Sequence, residues 1–277
     1  MSVSFRLPVI SPVLDSQGLF GLLHGLPIRP VLPGQEEPGP LEGRILRLGW
    51  SGDMGRGIEV TVEDGHYDLR VFTPSTLSDW ATAAHVASAL ARHQGQSVVL
   101  REDGNAVAPD FSDVDVRGDI AYGLESVGRI VDKHEKVELP GAVRQVQVTA
   151  ADVAGWGGDP EEFSRWFATT QDEDLFDPTP MFAQFTPGES TGVIVLSAGV
   201  ETVFPVEEPT SPDYPDVAEW MVLLYAGDER EAGRASVAHV VSHLQPDKFR
   251  VLHAGAIVIR PLSMAELEAL SQGPSGI

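Results

Sequence analysis

Residues 57–76 have the sequence GIEVTVEDGHYDLRVFTPST, which is typical of a β-hairpin that leads into a helix. Apolar and polar residues alternate over 57–62 and 67–73, and the apolar ones are mostly β-branched or aromatic, as in strands with one buried face. Asp64-Gly65 between these runs is a residue pair that tight hairpin turns favour. The pattern therefore predicts two antiparallel strands joined at this turn.

A helix is predicted immediately after the hairpin. Thr76 and Asp79 have the spacing of a capping box, in which each side chain satisfies a backbone N–H of the first helical turn. Apolar residues then recur at helical spacing as far as Gly95, a residue type that commonly ends helices. A further strand is predicted over 44–50. Because segments of both kinds are interspersed along the whole chain, we expect the α+β class.

The chain is expected to form two lobes, residues 1–150 and 151–277, each with a small antiparallel or mixed sheet and packed helices. Both halves have the order strand, strand, helix, strand, and the word AHVASAL at 84–90 resembles AHVVSHL at 238–244. This similarity raises the hypothesis of an internal duplication. A proline-rich segment over 26–40 is predicted to be an extended loop or linker, because proline fixes φ and lacks an N–H donor.

Composition excludes several classes of protein. The 19 Lys and Arg residues against 41 Asp and Glu residues leave a net charge of −22, whereas nucleic-acid binding requires a basic surface. The chain contains no cysteine, which excludes a disulfide scaffold, cysteine-ligated metal sites and thiol catalysis. It has no long apolar run and no basic leader with an apolar core, so we expect a cytoplasmic protein without a membrane partner.

Two motifs suggest catalysis but depart from the patterns that perform it. Gly188–Gly192 matches G-x-S-x-G, yet Ser190 precedes a predicted strand, whereas a nucleophilic serine sits between a strand and a helix. His239 and His243 have the spacing of a metal-binding pair, but Val240 stands where the metalloprotease motif has Glu. We interpret them as a glycine-rich turn and two solvent-facing histidines.

A partial calcium-loop pattern lies in the acidic segment 110–125. Asp113, Asp115 and Gly118 match the first, third and sixth positions of such a loop, but Leu124 replaces the bidentate Glu of the last position. We interpret the segment as an acidic surface loop. No catalytic, cofactor-binding or metal-ligating residue is predicted in the chain.

The predicted partner-binding residues are Asp172, Glu173, Asp174, Phe176 and Asp177. Closely spaced like charges in a loop repel and stay hydrated, so one interpretation is an acidic face that only aids solubility. The other is a rim that attracts a basic protein over long range, with the aromatic ring as a contact of the kind found at interface hot spots.

Several stretches of the chain resemble an uncharacterised bacterial family, a domain of unknown function. The resemblance is carried by RGIEV at 56–60, YDLRV at 67–71, TP at 73–74 and the ends MSVSF at 1–5 and IRPLS at 259–263. It covers most of the chain and implies a bacterial cytoplasmic protein. It implies no activity and no functional residues.

Three functions are open on this sequence. The preferred one is a non-enzymatic interaction module, an acidic binder of a basic protein partner in the manner of immunity proteins and inhibitors, because it agrees with the net charge of −22. The second is a structural or assembly component that forms a homo-oligomer through an apolar patch. The third is an enzyme whose site is assembled from scattered residues. No cofactor and no nucleic-acid partner is expected.

Overall fold

The computed structural model of the chain describes residues 2–32, 34–172, 174–186, 189–209, 217–226 and 231–271. Contacts divide the chain into two units, Met1–Asp172 and Glu173–Ile277. Each unit combines helices with sheets of antiparallel or mixed strands, so the predicted α+β class is confirmed.

The first unit contains a seven-stranded sheet made of β1 (Ser2–Pro8), β2 (Ile28–Pro30), β3 (Leu46–Trp50), β4 (Ile58–Glu63), β5 (His66–Phe72), β6 (Val99–Arg101) and β7 (Ala106–Val107). Their spatial order is β2-β3-β4-β5-β1-β6-β7, and every neighbouring pair is antiparallel. A separate hairpin consists of β8 (Lys136–Pro140) and β9 (Gln145–Thr149). The proline-rich segment 26–40 is only partly a loop, because it supplies β2 at the sheet edge, where proline is tolerated.

The hairpin predicted within 57–76 is confirmed as β4 and β5. Asp64 and Gly65 form its turn with φ of 48° and 72°, the left-handed conformation that such two-residue turns need. The alternate apolar residues of both strands are buried, namely Ile58, Val60, Val62, Tyr67, Leu69 and Val71. Their polar neighbours lie on the opposite face, because successive side chains of a strand alternate between faces.

In the described part of the first unit the helices are α1 (Ser16–Leu22), α2 (Leu77–Gln94), α3 (Val116–His134), α4 (Ala150–Trp156) and α5 (Pro160–Thr170). Helix α2 packs against β1, β3, β4 and β5 and covers the apolar face of the sheet. Its predicted capping box is confirmed, since Thr76 and Asp79 each accept a hydrogen bond from the backbone N–H of the other. The helix ends at Gly95, whose φ of 67° is left-handed.

The division between the units lies beyond the boundary predicted near residue 150. Helices α4 and α5 follow that position but pack against α3, and their residues Trp156, Phe163 and Phe167 belong to the core of the first unit. The first unit therefore extends to Asp172.

The strands of the second unit are β10 (Met181–Thr186), β11 (Glu189–Ser197), β12 (Thr202–Pro205), β13 (Val217–Tyr225), β14 (Glu231–Ala235), β15 (Phe249–His253) and β16 (Ala256–Ile259). One sheet has the order β10-β11-β13-β14, in which β11 and β13 are parallel and the other pairs are antiparallel. The other sheet has the antiparallel order β12-β16-β15.

Two helices, α6 (Val237–His243) and α7 (Met264–Ser271), and a short 3-10 helix over Pro246–Lys248 complete the described part of the second unit. Both α6 and α7 pack on β13, and α7 also packs on β14. The sequence predicts one helix over 228–244, of which residues 228–230 lie outside the described part of the chain. Residues 231–235 pair with β13 as a strand instead, and Val237–His243 form α6 as predicted.

The hypothesis of an internal duplication stays a prediction. The seven-stranded sheet of the first unit is wholly antiparallel, whereas the second unit contains the parallel pair of β11 and β13. The two similar seven-residue segments, 84–90 and 238–244, lie largely on helices of different length: α2 has 18 residues and α6 has 7.

Candidate functional site

The predicted partner-binding segment begins at the end of the first unit. Asp172 is exposed, and its backbone carbonyl accepts a hydrogen bond of 2.9 Å from Nη2 of the buried Arg144. Glu173 lies outside the described residues. The remaining predicted residues belong to the second unit.

Leu175 anchors this segment in the second unit. Its side chain is buried in a small core cluster with Val203, Leu252, Ala256 and Val258. The next residue, Phe176, forms a parallel bridge with Thr202, and its carbonyl accepts a hydrogen bond of 2.8 Å from the N–H of Val203. Both contacts fix the backbone of the segment beside β12, an outer strand of its sheet.

Phe176 is exposed on this fixed backbone. Its exposed fraction is 47%, and Asp174 and Asp177 on either side of it are also exposed. Because side chains alternate in direction along extended backbone, the burial of Leu175 directs Phe176 outward. The segment therefore presents one aromatic ring between two carboxylates.

The G-x-S-x-G match and the histidine pair do not lie in the structural contexts that their catalytic chemistry requires. Ser190 lies inside β11, opposite Val217 of β13, and not on a turn between a strand and a helix. His239 and His243 lie on α6 with their ring centroids 3.9 Å apart, and Nδ1 of His243 is 3.0 Å from the carbonyl oxygen of His239. The two rings therefore contact each other on one helix.

The acids of the partial calcium pattern hydrogen-bond to nearby backbone. The Asp113 carboxylate accepts hydrogen bonds of 3.0 and 3.1 Å from the N–H of Ala108, and Asp115 caps α3 by accepting one of 3.0 Å from the N–H of Gly118. Within the described residues, no group of three or more His, Asp or Glu is arranged to hold a metal ion.

An arginine row on the exposed face of the seven-stranded sheet was not predicted from the sequence. Arg47 on β3 lies opposite Glu59 on β4, which in turn lies opposite Arg70 on β5. Nη1 of Arg70 is 3.5 Å from Oε2 of Glu59. Phe72 follows on the same strand and the same face as Arg70.

Phe72 lies among three guanidinium groups, those of Arg47, Arg56 and Arg70, which we call the arginine cluster. Their guanidinium carbons are 4.9, 5.0 and 5.3 Å from the centroid of the ring. These distances are within the range of cation–π attraction. The ring therefore contributes favourable contacts to three like charges that repel one another.

Arg56 reaches the cluster from the loop before β4 and is only 6% exposed. Its Nε donates to the carbonyl of Pro140 at 2.9 Å, and its Nη1 donates to the carbonyl of Pro74 at 3.0 Å. Burial lowers the pKa of Arg56 to about 10; Asp79 opposes this shift, and repulsion by the other two arginines adds to it. Burial also lowers the pKa of Arg47.

The carboxylate of Asp79 joins the loop before β4 to the start of α2. Its Oδ2 accepts hydrogen bonds from the N–H of Arg56 at 3.1 Å and of Thr76 at 2.9 Å, and Oδ1 accepts one from Gly57 at 2.7 Å. Burial raises the pKa of Asp79, although these hydrogen bonds favour its charged form. A Cβ on Gly55 would lie 2.5 Å from both oxygens, so only glycine leaves room for this arrangement.

The arginine cluster could be found only in part from the sequence. The alternation in the predicted strands places Arg47, Arg70 and Phe72 on the polar face. Which of them lie opposite one another depends on strand register, which the pattern does not give. Arg56 lies in a loop, so no periodicity points to it.

The second unit contains a cavity of about 210 Å³. Its aliphatic lining residues are Leu244, Leu262, Ala269 and Leu270. Lys248 and Glu266, which also line it, form an ion pair with 2.6 Å between Nζ and Oε1. Hydrogen bonds from Lys248 and Ser263 lower the pKa of Glu266 to about 2. The cavity is smaller than most small-molecule sites, which measure roughly 300–1,000 Å³.

Comparison with known proteins gives a family and no activity. No curated protein and no solved structure matches the chain. None of the helices in the described ranges has both the length and the apolar character that crossing a membrane requires. The model of a domain of unknown function, DUF4299, matches residues 35–270 and so extends over both units, which confirms the resemblance to a family of unknown function. The chain therefore belongs to the DUF4299 family.

Proposed function

We propose that the chain is a non-enzymatic interaction module that binds a basic protein through the acidic segment 172–177. The observation that carries the proposal is Phe176, a large aromatic residue that is 47% exposed although its backbone is fixed by the contact with β12. An aromatic ring on fixed backbone is a favourable hot-spot contact, because binding orders little that is not already ordered.

The charges beside Phe176 support a basic partner. Asp174 and Asp177 are exposed on either side of the ring, in a chain whose net charge is −22. Such a field attracts a basic protein over long range, and carboxylates at the rim of the contact then favour Lys and Arg of the partner. The absence of cysteine agrees with a partner in the reducing bacterial cytoplasm, where we propose that the chain acts.

Variants of equal charge test this proposal. Asp174→Asn/Asp177→Asn changes the segment, and Asp103→Asn/Asp110→Asn, the loop variant, makes the same change of charge in the two exposed loops on either side of β7 in the first unit. The tagged full chain is used to recover basic proteins from bacterial lysate at low and at high salt. Each recovered protein is then purified, and its affinity for every variant is measured by surface plasmon resonance.

We expect the segment variant to lose about tenfold or more in affinity and the loop variant to lose much less, because contact charges contribute more than distant ones. Phe176→Ala should weaken binding similarly, whereas Phe182→Ala, an equally exposed phenylalanine of the same unit, should not. Equal losses for both charge variants would mean that only net charge matters. That result, or the absence of any retained basic protein, would overturn the proposal.

A second candidate function, self-association, is favoured by β10. This strand is at the edge of its sheet, and Met181 and Phe182 on it are 49% and 51% exposed. Apolar side chains on an unpaired edge favour pairing with another copy. Light scattering after size-exclusion chromatography tests this, with a dimer expected for the natural chain and a monomer for Met181→Lys. A monomer for both at every concentration would exclude this candidate.

A further inference from the structure

The arginine cluster has hydrogen-bond donors that the described residues do not use. Nε of Arg47 donates to the carbonyl of Arg56 at 3.0 Å, but neither of its terminal nitrogens has an acceptor among the described residues. Nε and Nη1 of Arg56 donate to backbone carbonyls, and its Nη2 has no acceptor among the described residues. The Nη1 of Arg70 is 3.5 Å from Glu59, a long contact. Donors of all three guanidinium groups are thus available to an anion.

The charges around the cluster leave a local positive excess. Within the described residues, the carboxylates that act on the three arginines are those of Glu59 and Asp79. The oxygens of Asp79 already accept hydrogen bonds from three backbone N–H groups, so this carboxylate is not available to the guanidinium donors. Among the described residues, Glu59 is therefore the carboxylate that remains for the three guanidinium groups, and it lies opposite Arg47 and Arg70 in the sheet.

The shape of this excess charge favours a particular anion. A carboxylate is planar and is satisfied by one guanidinium group, which binds both of its oxygens. Three guanidinium groups grouped around one ring present donors from several directions, which suits the tetrahedral oxygens and the double charge of a phosphate. Because Phe72 is already in contact with the guanidinium groups, its ring positions these donors and is not a stacking surface for the ligand.

We propose that Arg47, Arg56 and Arg70 form a binding site for a phosphate group, either free or carried by a small molecule. The site lies wholly in the first unit and shares no residue with the acidic segment 172–177. It is therefore independent of the proposed partner binding. Nothing in the sequence pattern or the family match assigns a ligand to it.

Calorimetric titration of the full chain with inorganic phosphate, at low and constant ionic strength, tests the site. Arg70→Gln is the principal variant, because the Arg70 side chain is 50% exposed and, within the described residues, contacts Glu59 and the ring of Phe72 but no buried carbonyl. Arg6→Gln is its control, since Arg6 is an exposed arginine of the same sheet that pairs with Asp68 at 3.0 Å. Arg56→Gln is less informative, since it also removes the contacts to Pro74 and Pro140.

We expect saturable phosphate binding that Arg70→Gln weakens about tenfold or more, because a hydrogen bond between charged groups is lost. Arg6→Gln should leave the affinity within about twofold of the natural chain, since rim charges act weakly. Glu59→Gln should strengthen binding, because it removes the carboxylate that competes with the anion for Arg70. This gain distinguishes an anion site from a purely structural role of the arginines.

Further titrations identify the source of the phosphate. Glycerol phosphate that binds more tightly than inorganic phosphate supports a phosphorylated small molecule, and the reverse order supports the free ion. Acetate that binds as tightly as phosphate would overturn the assignment to phosphate. Equal losses for Arg70→Gln and Arg6→Gln, or no saturable binding of either phosphate, would overturn the site itself.

Discussion

Replacing Asp79 with alanine should destabilise the first unit strongly. The substitution removes the acceptor of three backbone N–H groups, those of Arg56, Gly57 and Thr76, all of which lie in buried residues. Each buried donor left without an acceptor costs about 1–3 kcal/mol. Removing the buried carboxylate returns part of this free energy, as the raised pKa of Asp79 indicates. We therefore expect a loss of about 3–5 kcal/mol, near the upper limit for a single substitution.

Asp79→Asn should be less severe. An amide has one oxygen, which can keep the two hydrogen bonds of the Oδ2 position, so only the contact with Gly57 is lost. We expect a loss of about 1–2 kcal/mol. Asp152→Ala is the matched control, because Asp152 caps α4 in the same way and, in the part of the chain that is described, its carboxylate bonds only to Thr149. It should cost about 1 kcal/mol.

Urea unfolding followed by tryptophan fluorescence measures these losses. The first unit contains Trp50, Trp80, Trp156 and Trp166, and the second contains only Trp220, so the signal reports mainly on the first unit. The reasoning predicts the order Asp79→Ala, Asp79→Asn, Asp152→Ala, from largest to smallest loss. A loss for Asp79→Ala no larger than that for Asp152→Ala would refute it.

Three further outcomes are expected. Burial raises the folded-state pKa of Asp79 above its ordinary value of 3.8, so the part of its stabilisation that depends on protonation is complete below that pH and is lost as the pH rises through the folded pKa. Above the folded pKa the carboxylate still accepts its three backbone hydrogen bonds, so the advantage of the natural chain over Asp79→Asn in urea should shrink with rising pH but not vanish. The pH dependence of Glu266 has the opposite direction, because its pKa is lowered from 4.5 to about 2. Its contribution to stability is present above pH 4.5 and is lost as the pH falls towards 2. Acid titration followed by circular dichroism should show this loss in the natural chain and not in Glu266→Gln. Gly192→Ala would bring a Cβ to 2.4 Å from the ring of Trp220, so it should lower the free energy of unfolding in urea by about 1–3 kcal/mol. The Cβ of Gly155→Ala in α4 would meet no described atom within 4 Å, so this variant should raise the free energy of unfolding by about 0.5–1 kcal/mol. An unchanged free energy for Gly192→Ala would contradict the tight packing around Trp220.

Local patterns predicted the parts of the fold that local interactions determine. The turn at Asp64-Gly65 and the capping box of α2 depend on neighbours in the chain, and both were predicted correctly. The region around Gly233 shows the opposite case. Glu, Arg and Ala favour a helix over 228–235, but residues 231–235 pair with β13, and this long-range pairing outweighs local propensity.

The candidate sites show the same limit. The exposed acids and the ring of Phe176 could be selected from composition, whereas the anchoring role of Leu175 depends on a core cluster formed by strands much later in the chain. The division between the units depends on the same kind of contact, because Phe163 and Phe167 pack in the core of the first unit against residues of other elements. The arginine cluster required strand register and a loop conformation, and neither follows from alternation.

The parallel pairing of β11 and β13 has a topological consequence for the second unit. Parallel neighbours need a crossover connection, and along the chain this connection contains β12, which pairs with β16 in the other sheet. A strand of the three-stranded sheet is therefore enclosed, in sequence, between two adjacent strands of the four-stranded sheet. Pairing β11 with β13 closes the loop that contains β12, so we expect the two sheets of the second unit to form together. The backbone of Phe176 bonds to β12, so this crossover is tied directly to the segment proposed to bind a partner.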